Sequence, residues 1–439
     1  MAAVTIDPVT RISGNAGIKV LFNEAGELEK ASLQAYGYRG FEYIAKGAHI
    51  DNLMPVVSRI CGGDALFHQL AAAEAVERAL GVAPPQGAEL LRELALWGQL
   101  FERHAVSLTV HSLPDLLFPS SDPGLRNIIS IHKVDEEVIK RVMALKSLGT
   151  FIYREVGGRA VHAVNFLPGG AVRDIREEER KGLLERLDEA RPLLIETGHL
   201  MKLLLRRNAE AVSNLGNLPT SYLALKGEQG MVLRGGGLEV LGPQGESMGA
   251  FSPGEAASRI TESNSSHSHI RYADFEGADI SRVGPLARLN VNRRYGTPLA
   301  DGELEEVKEQ WGMPLHQNMV SHVARILEMI HAWEMMRELL LQPAGEDMRR
   351  ELAVATGTGT SMMEAPEGLL FYVLSLDEDG TVKELKIIAP LQFNLRALER
   401  TLEESAKNVL SGAGLEERSI NLLEMAVRAY APCIQCGVH

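Results

Sequence analysis

The stretch SRICGGDALFH (58–68) decides how the chain is interpreted, together with its closing segment APCIQCGVH (431–439). The chain has three cysteines, and all of them lie in these two segments. An odd number of cysteines that includes a C-x-x-C pair is more typical of metal binding or redox chemistry than of a structural disulfide in a reducing compartment. The sequence therefore predicts that the two segments meet around a metal.

A strong helix is predicted from Asp64 to Leu80, because this run is rich in Ala, lacks Pro and Gly, and is followed by Gly81. Cys61 lies just before this helix, where the free N–H groups of a helix start favour a thiolate and lower the pKa of a thiol. Asp64 and His68 fall one turn apart on the same helical face.

The C-x-x-C pair, Cys433 and Cys436, has the i, i+3 spacing with which two sulfurs bind one metal or two adjacent metals. Each feature is weak when taken alone, since a lone C-x-x-C is often incidental. The combination is much stronger, because every cysteine of the chain belongs to one of the two motifs.

Composition excludes several classes of protein. The 439 residues are 45% hydrophobic and carry a formal charge of -13, which argues against nucleic acid or an anionic membrane surface as the main partner. No apolar run approaches the ~20 residues needed to span a bilayer. The N-terminus lacks a signal-peptide pattern, so a cytoplasmic location is expected.

The predicted fold class is mainly α with small β pieces (α+β), a bundle of long helices that encloses a buried metal site. We expect a single domain over residues 1–439. A second long helix is expected to begin after Pro85 and to end at Pro114. The remaining predicted parts are an N-terminal β meander at about 1–35, a helical core at about 64–210 and 312–439, a small β insert at about 217–300, and a β-hairpin around Asp379-Gly380.

Seven segments spread over nearly the whole chain are informative together. They are IDPVTRISG (6–14), YRGFEYIAKG (38–47), RICGGDALFH (59–68), GGRAVHAVNFLPGG (157–170), RVGPLARLN (282–290), EAPEG (364–368) and VRAYAPCIQCGVH (427–439). In these segments and in their order, the sequence resembles the large subunit of nickel-iron hydrogenases. The resemblance implies a helical fold around a buried Ni–Fe centre.

The resemblance also implies roles for the cysteines. Cys61 and Cys433 correspond to terminal nickel ligands, and Cys436 corresponds to a cysteine that bridges nickel and iron. Asp64 stands where the family has the other bridging cysteine. A carboxylate can bridge two metals but is a harder ligand than a thiolate, so an altered dinuclear centre is expected.

Three further residues match the family's motifs. His68 is expected to hydrogen-bond a ligand sulfur. Glu42 and the terminal His439 correspond to residues that hold a Mg²⁺ ion near the C-terminus.

Other positions depart from the family around the expected reaction chamber. Ser13 replaces a proton-relaying Glu and could relay protons only through a water chain. Glu367 replaces an Arg over the open face of the metals, whereas Arg103 stands where the family often has an acid. We therefore expect an Arg103–Glu367 ion pair of reversed polarity. The family's His at position 15 is replaced by Asn15, and its Asp before the last C-x-x-C is replaced by Ala431. The family's Ser or Thr that hydrogen-bonds a cyanide on iron would fall near Leu391.

Two hypotheses about function remain open. The first is a cytoplasmic hydrogenase that splits or forms H2 at a remodelled Ni–Fe centre, with Glu367 or a thiolate taking the proton. The second is a hydrogenase-derived redox subunit without H2 turnover, since three Cys and one Asp also suit an iron–sulfur cluster or Zn²⁺. A metal-free scaffold would leave the cysteines and His68 without a common purpose. Either metal hypothesis implies a partner, namely a small subunit with iron–sulfur clusters, together with further electron-transfer subunits.

Overall fold

A computed structural model describes residues 2–342, 345, 347–410 and 416–439 of the chain. Helices make up about half of it and the sheets are small, which confirms the predicted fold class. The predicted single domain and helical core include residue 1 and residues 343, 344, 346 and 411–415, which lie outside the described residues. The division into one domain stays a prediction.

The helices differ widely in length. They are α1 (Phe41–Ala45), α2 (Ile50–Val57), α3 (Ala65–Leu80), α4 (Gln86–Val106), α5 (Leu113–Leu117), α6 (Ile128–Val134), α7 (Glu136–Gly157), α8 (Glu177–Arg207), α9 (Ala209–Asn214), α10 (Pro253–Ser258), α11 (Pro285–Asn292), α12 (Pro298–Trp311), α13 (Ser321–Leu341), α14 (Pro390–Val409), α15 (Glu417–Tyr430) and α16 (Ile434–Gly437).

The strands are mostly short. They are β1 (Ala2–Ile6), β2 (Gly17–Phe22), β3 (Leu28–Gln34), β4 (Phe166–Leu167), β5 (Gly170–Ala171), β6 (Ser221–Lys226), β7 (Gly237–Leu241), β8 (Ser247–Phe251), β9 (Ile260–Ser263), β10 (Tyr272–Phe275), β11 (Ser281–Arg282), β12 (Gly357–Ala365), β13 (Gly368–Leu376) and β14 (Val382–Ile388).

The sheets are mainly antiparallel. The strands β1-β2-β3 form an N-terminal meander in the predicted place, and β12-β13-β14 form a second three-stranded sheet. The predicted hairpin corresponds to β13 and β14, and Gly380 turns the chain with φ +80°. The sequence missed β12 beside it. The predicted insert at 217–300 holds the sheet β11-β6-β7-β8, but α11 and the start of α12 also lie within it.

The expected end of the second long helix at Pro114 is wrong. The α4 helix ends at Val106, a π-helical turn runs over Ser107–Ser112, and α5 begins at Leu113. Pro114 lies in the first turn of α5. The helical run passes without a break from α4 through the π-helical turn into α5, where the N–H of Leu113 still bonds the carbonyl of Leu108. Pro114 therefore removes one N–H donor without ending the helical run.

Three elements carry the centre of the fold. The α4 helix packs against α7 and α13, and α3 packs across β12 and β13. The start of α3, the C-terminal end of α4 and the turn between β12 and β13 approach one another in the interior. Within the described ranges, no helix combines the length and apolar character that crossing a membrane requires.

Candidate metal centre

The two cysteine-bearing segments meet at the start of α3 and the C-terminus. The backbone helps to join them, because Ile434 N–H donates a hydrogen bond of 2.9 Å to the carbonyl of Ser13, and Ser13 pairs with Cys433 in an isolated parallel bridge. Ser13 thus contributes its main chain to the position of the C-terminal motif. Its predicted proton-relay role stays a prediction.

Cys61, Asp64, Cys433 and Cys436 offer donor atoms that all lie within 4.8 Å of one another. The Sγ atoms of Cys61 and Cys433 are 3.4 Å apart. Asp64 Oδ2 lies 3.4 Å from Cys61 Sγ and 3.3 Å from Cys436 Sγ. The predicted convergence of the two segments is therefore confirmed, and metal binding by the four residues stays a prediction.

The chemistry of this donor set fits a metal. Tetrahedral sites with metal–sulfur bonds of about 2.3 Å place their donors somewhat under 4 Å apart. The separations of 3.3–3.4 Å between Asp64 Oδ2 and two sulfurs, and between Cys61 Sγ and Cys433 Sγ, are close to that value. All four are 1–2% exposed. Cys433 and Cys436 are joined as a disulfide, so both become ligands only when reduced to thiolates.

The expectation of a lowered pKa at Cys61 is wrong. Burial raises the pKa of the Cys61 thiol and the carboxylate of Asp64 raises it further, while Arg103 opposes both. The effect of burial on the pKa of Cys61 thus outweighs the effect of the free N–H groups at the start of α3. Without a metal the site favours the neutral thiol, and a metal has to displace its proton.

His68 lies in the predicted place, with Nε2 3.5 Å from Cys436 Sγ. Its other ring nitrogen, Nδ1, is 2.7 Å from the hydroxyl of Tyr372, a fully buried residue of β13 that sequence reasoning missed. Burial lowers the pKa of His68 to about 3, so its imidazole is neutral. If Tyr372 donates to Nδ1, the single ring proton resides on Nε2 and points to Cys436, as a thiolate acceptor requires.

The predicted Arg103–Glu367 ion pair is present, with Arg103 Nη2 3.3 Å from Glu367 Oε1. Arg103 also reaches Asp64, since its Nε donates to Asp64 Oδ1 at 3.1 Å. Burial lowers the pKa of Arg103, but the two carboxylates outweigh burial and raise it. Burial and then Asp64 raise the pKa of Glu367 to about 7.

A buried cluster of charged side chains around Arg288 fixes the β12–β13 turn in which Glu367 lies. The guanidinium of Arg288 donates to the carbonyls of Ala365 and Pro366 at 2.9 and 3.0 Å. It also pairs with Glu328 at 2.6 Å and with Glu364 at 2.9 Å. Sequence reasoning missed this cluster, although RVGPLARLN and EAPEG, two of the quoted motifs, supply most of it.

Glu42 and His439 face each other, with His439 Nε2 3.7 Å from Glu42 Oε1. The C-terminus is held in place, because Arg39 N–H donates to Val438 O at 3.1 Å and Gly40 N–H donates to His439 O at 3.2 Å. The arrangement offers a carboxylate and an imidazole to a cation. A Mg²⁺ ion at this pair stays a prediction.

Leu391 and Ala431, two further positions that depart from the family, both lie next to the C-terminal motif. Leu391 is 3% exposed, and a Cβ on Gly437 would lie 3.1 Å from its side chain, so an apolar group packs beside the C-terminal motif. Ala431 adopts a left-handed conformation with φ +51° and ends α15. Such a conformation is uncommon outside Gly, and it turns the chain from α15 towards Cys433.

Together, this fold and this donor set form a buried group of three cysteines and one carboxylate that could hold a metal ion. A family model described as nickel-dependent hydrogenase matches residues 39–113 and 244–439, and a HoxL-like model matches residues 3–36. One subunit of the F420-non-reducing hydrogenase vhc of Methanococcus voltae is 30% identical over 451 residues, covering 100% of this chain and 95% of that protein. The beta subunit of the NAD-reducing hydrogenase HoxS of Cupriavidus necator is 27% identical, covering 99% and 94%.

Solved structures of hydrogenases have the same fold as this chain. An NAD+-reducing [NiFe]-hydrogenase in the H2-reduced state superposes with a TM-score of 0.95 at 28% identity, over 100% of both chains. The Ni-Fe-Se hydrogenase of D. vulgaris Hildenborough has a TM-score of 0.82 at 21% identity, which shows the shared fold. The chain belongs to the nickel-dependent hydrogenase family, and this membership implies a Ni–Fe centre.

Proposed function

We propose that the chain is the large subunit of a nickel-iron-hydrogenase-type oxidoreductase that splits or forms H2 heterolytically and passes electrons to an iron–sulfur small subunit. The observation that carries this proposal is the convergence of Cys61, Asp64, Cys433 and Cys436 in a fold matched over its whole length by hydrogenase subunits. A cytoplasmic location remains a prediction.

The residues present have separate tasks in this proposal. Cys61, Cys433 and Cys436 hold the centre through sulfur, and Asp64 holds it through Oδ2. A bound Ni–Fe centre would supply the site that accepts hydride and electrons. Glu367 lies beside Arg103 at the edge of this donor set and is placed to accept and release the proton at its carboxylate.

The pKa of Glu367 supports this assignment. Because burial raises it to about 7, the carboxyl group can take and release a proton near neutral pH. Ser13, which replaces the relay residue of the family, has no comparable acid–base group. The acid–base role that the family gives to its Glu at position 13 thus falls to Glu367 in this chain.

A second function is favoured by the residues that replace family ligands and donors. Three thiolates and one carboxylate oxygen within 4.8 Å also suit a single Zn²⁺ ion or an iron–sulfur cluster. Such a subunit would take part in electron transfer without turning over H2.

Metal analysis with infrared spectroscopy of the purified complex separates the two functions. The proposed function requires nickel together with iron, CO and CN stretching bands, and H2-dependent reduction of a dye. Zinc, or iron and sulfide without nickel, would refute it and establish the second function.

A face near the centre fits the proposed small subunit. Tyr36, Tyr38, Tyr43 and Ile44 follow one another closely in the chain and are 53–82% exposed. Between them, Arg39 donates to the carbonyl of Ile60, the residue before Cys61. Exposed aromatic clusters are typical of protein interfaces, so this face would bring a partner's cluster close to the metal ligands. We propose it as the docking face of the iron–sulfur subunit.

A further inference from the structure

Asp64 occupies the N-cap position of α3, but its carboxylate is used elsewhere. An N-cap Asp normally accepts a hydrogen bond from the second or third N–H of its helix. Here the N–H of Leu66, the second residue of α3, donates to Gln99 Oε1 of α4 at 3.2 Å. Gln99 thus accepts the hydrogen bond that an N-cap side chain would accept. The Oδ2 atom of Asp64 instead faces Cys61 and Cys436.

Arg103 lies one turn after Gln99 on the same face of α4 and fixes the other carboxylate oxygen. Its Nε donates to Asp64 Oδ1 at 3.1 Å, and its Nη2 lies 3.3 Å from Glu367. The two oxygens of Asp64 therefore have different partners. Oδ1 is bound by a guanidinium, while Oδ2 lies 3.3–3.4 Å from two sulfurs.

Gly63 makes this approach of Arg103 possible. A Cβ at Gly63 would lie 2.6 Å from Nη1 and 2.7 Å from Cζ of Arg103, closer than any side chain tolerates. The guanidinium therefore lies against the backbone just before Asp64. Any side chain at residue 63 would push it away from Oδ1.

We propose that Gln99 and Arg103 act as positioning residues that convert Asp64 from a helix cap into a metal ligand with one available oxygen. The inference rests on the metal site of the proposed function, not on H2 turnover. It predicts a donor set of three sulfurs and one oxygen, in which Asp64 does not bridge two metals through both of its oxygens. The guanidinium also draws charge from the carboxylate and weakens it as a donor.

The test is a Co²⁺ titration of the full-length chain, reduced and without oxygen, read by visible spectroscopy and X-ray absorption. In the wild type we expect thiolate-to-cobalt bands and a four-coordinate S3O site. Arg103→Met frees Oδ1, so we expect one additional oxygen donor. Gln99→Leu leaves the cap of α3 open to Asp64, so we expect about 10–100-fold weaker binding of Co²⁺. Gln99→Glu keeps an acceptor for the cap and should restore binding.

Two matched controls separate positioning from loss of stability. Arg92→Met removes another buried Arg of α4, one that pairs with Glu77 at 2.6 Å. Gln69→Leu removes a buried Gln of α3 whose amide donates to Ala163 O and Phe166 O. Both controls should leave the cobalt spectrum and affinity unchanged, whatever their effect on the melting temperature.

Double mutants with Asp64→Ala make the test specific. If Gln99 and Arg103 act through Asp64, their substitutions should cause no further change of affinity once Asp64 is removed. Effects of undiminished size in the Asp64→Ala chain would overturn the inference. The inference would also be overturned if Gln99→Leu and Arg103→Met both kept the spectrum and the Co²⁺ affinity of the wild type. The same holds if the wild-type chain showed no thiolate-to-cobalt bands. A wild type with an S3O cobalt site whose isolated complex lacks nickel would refute the proposed function and leave this inference standing.

Discussion

Replacement of Arg288 by Met should remove at least about a third of the stability of the chain at neutral pH. The side chain is 0% exposed and binds two buried carboxylates and two carbonyls, those of Glu328, Glu364, Ala365 and Pro366. Breaking a buried ion pair from one side costs about 3–5 kcal/mol, and each polar group left unpaired adds about 1–3 kcal/mol. Protonation relieves part of this cost, so we expect a loss of about 5 kcal/mol at pH 7, against total stabilities of about 5–15 kcal/mol.

The pH dependence of this loss provides a second measurement. In the wild type, burial raises the pKa of Glu328, but Arg288 and His104 outweigh it and lower the pKa to about 2. A folded-state pKa below the unfolded value of about 4.3 stabilises the fold above that pH, and the contribution is lost as the pH falls towards 2.

In Arg288→Met the contribution of Glu328 to the pH dependence of stability has the opposite sign. Burial then dominates, the pKa of Glu328 rises above its unfolded value, and stability falls as the pH rises, by up to about 1.4 kcal/mol per pH unit. The deficit relative to wild type should therefore be larger at pH 7 than at pH 5.

Urea denaturation followed by circular dichroism at pH 5 and pH 7 measures both effects. Arg337→Met is the control, because Arg337 and its partner Asp188 are 44% and 58% exposed and such pairs contribute about 0–1 kcal/mol. A loss below about 1 kcal/mol for Arg288→Met at pH 7, or a larger deficit at pH 5, would refute the argument.

Three further substitutions test the site and its surroundings. Tyr372→Phe removes the hydroxyl that pairs with His68 Nδ1, so we expect about 10–100-fold weaker metal binding at little cost in melting temperature. Unchanged metal content after dialysis against a chelator would contradict a role of Tyr372 in orienting His68. Gly63→Ala should displace Arg103 and reproduce the cobalt spectrum of Arg103→Met, and a wild-type spectrum would show that the guanidinium can be accommodated elsewhere. Tyr43→Glu places a charge on a side chain that is 82% exposed, so co-purification of the iron–sulfur subunit should fall while the melting temperature of the isolated chain stays the same; an intact complex would exclude this face as the interface.

The motifs that lie within single segments could be predicted from the sequence. The α3 helix follows from its composition and from Gly81, and the meeting of the two cysteine segments follows from the motifs they carry. The pairing of Arg103 with Glu367 could also be anticipated, because two exchanged charges around one pocket remain compatible only if they face each other.

The supporting contacts could not be predicted in the same way. Gln99 and Tyr372 act across helices and sheets, and neither belongs to a local pattern that distinguishes it from an ordinary buried polar side chain. Arg288 does lie in the motif RVGPLARLN, but the motif does not show which buried carboxylates and carbonyls the side chain binds. The raised pKa of Cys61 cannot be predicted from its segment either, since the helix start is a local feature and burial is a property of the whole fold. Pro114 shows that a helix breaker has to be placed within its turn before it is interpreted.

The substitutions around the centre form one physical arrangement. A hard carboxylate at residue 64 brings a second donor oxygen into a site that would otherwise hold a thiolate of the same charge. Arg103 binds that oxygen and balances the charge, and Gly63 leaves the space for it. Arg103 also pairs with an acid on the β12–β13 turn, Glu367, so the two exchanged charges face each other. On this argument a Cys at position 64 would leave Arg103 with only Glu367 to bind, so Asp64→Cys should destabilise the chain unless Arg103 and Glu367 are exchanged with it.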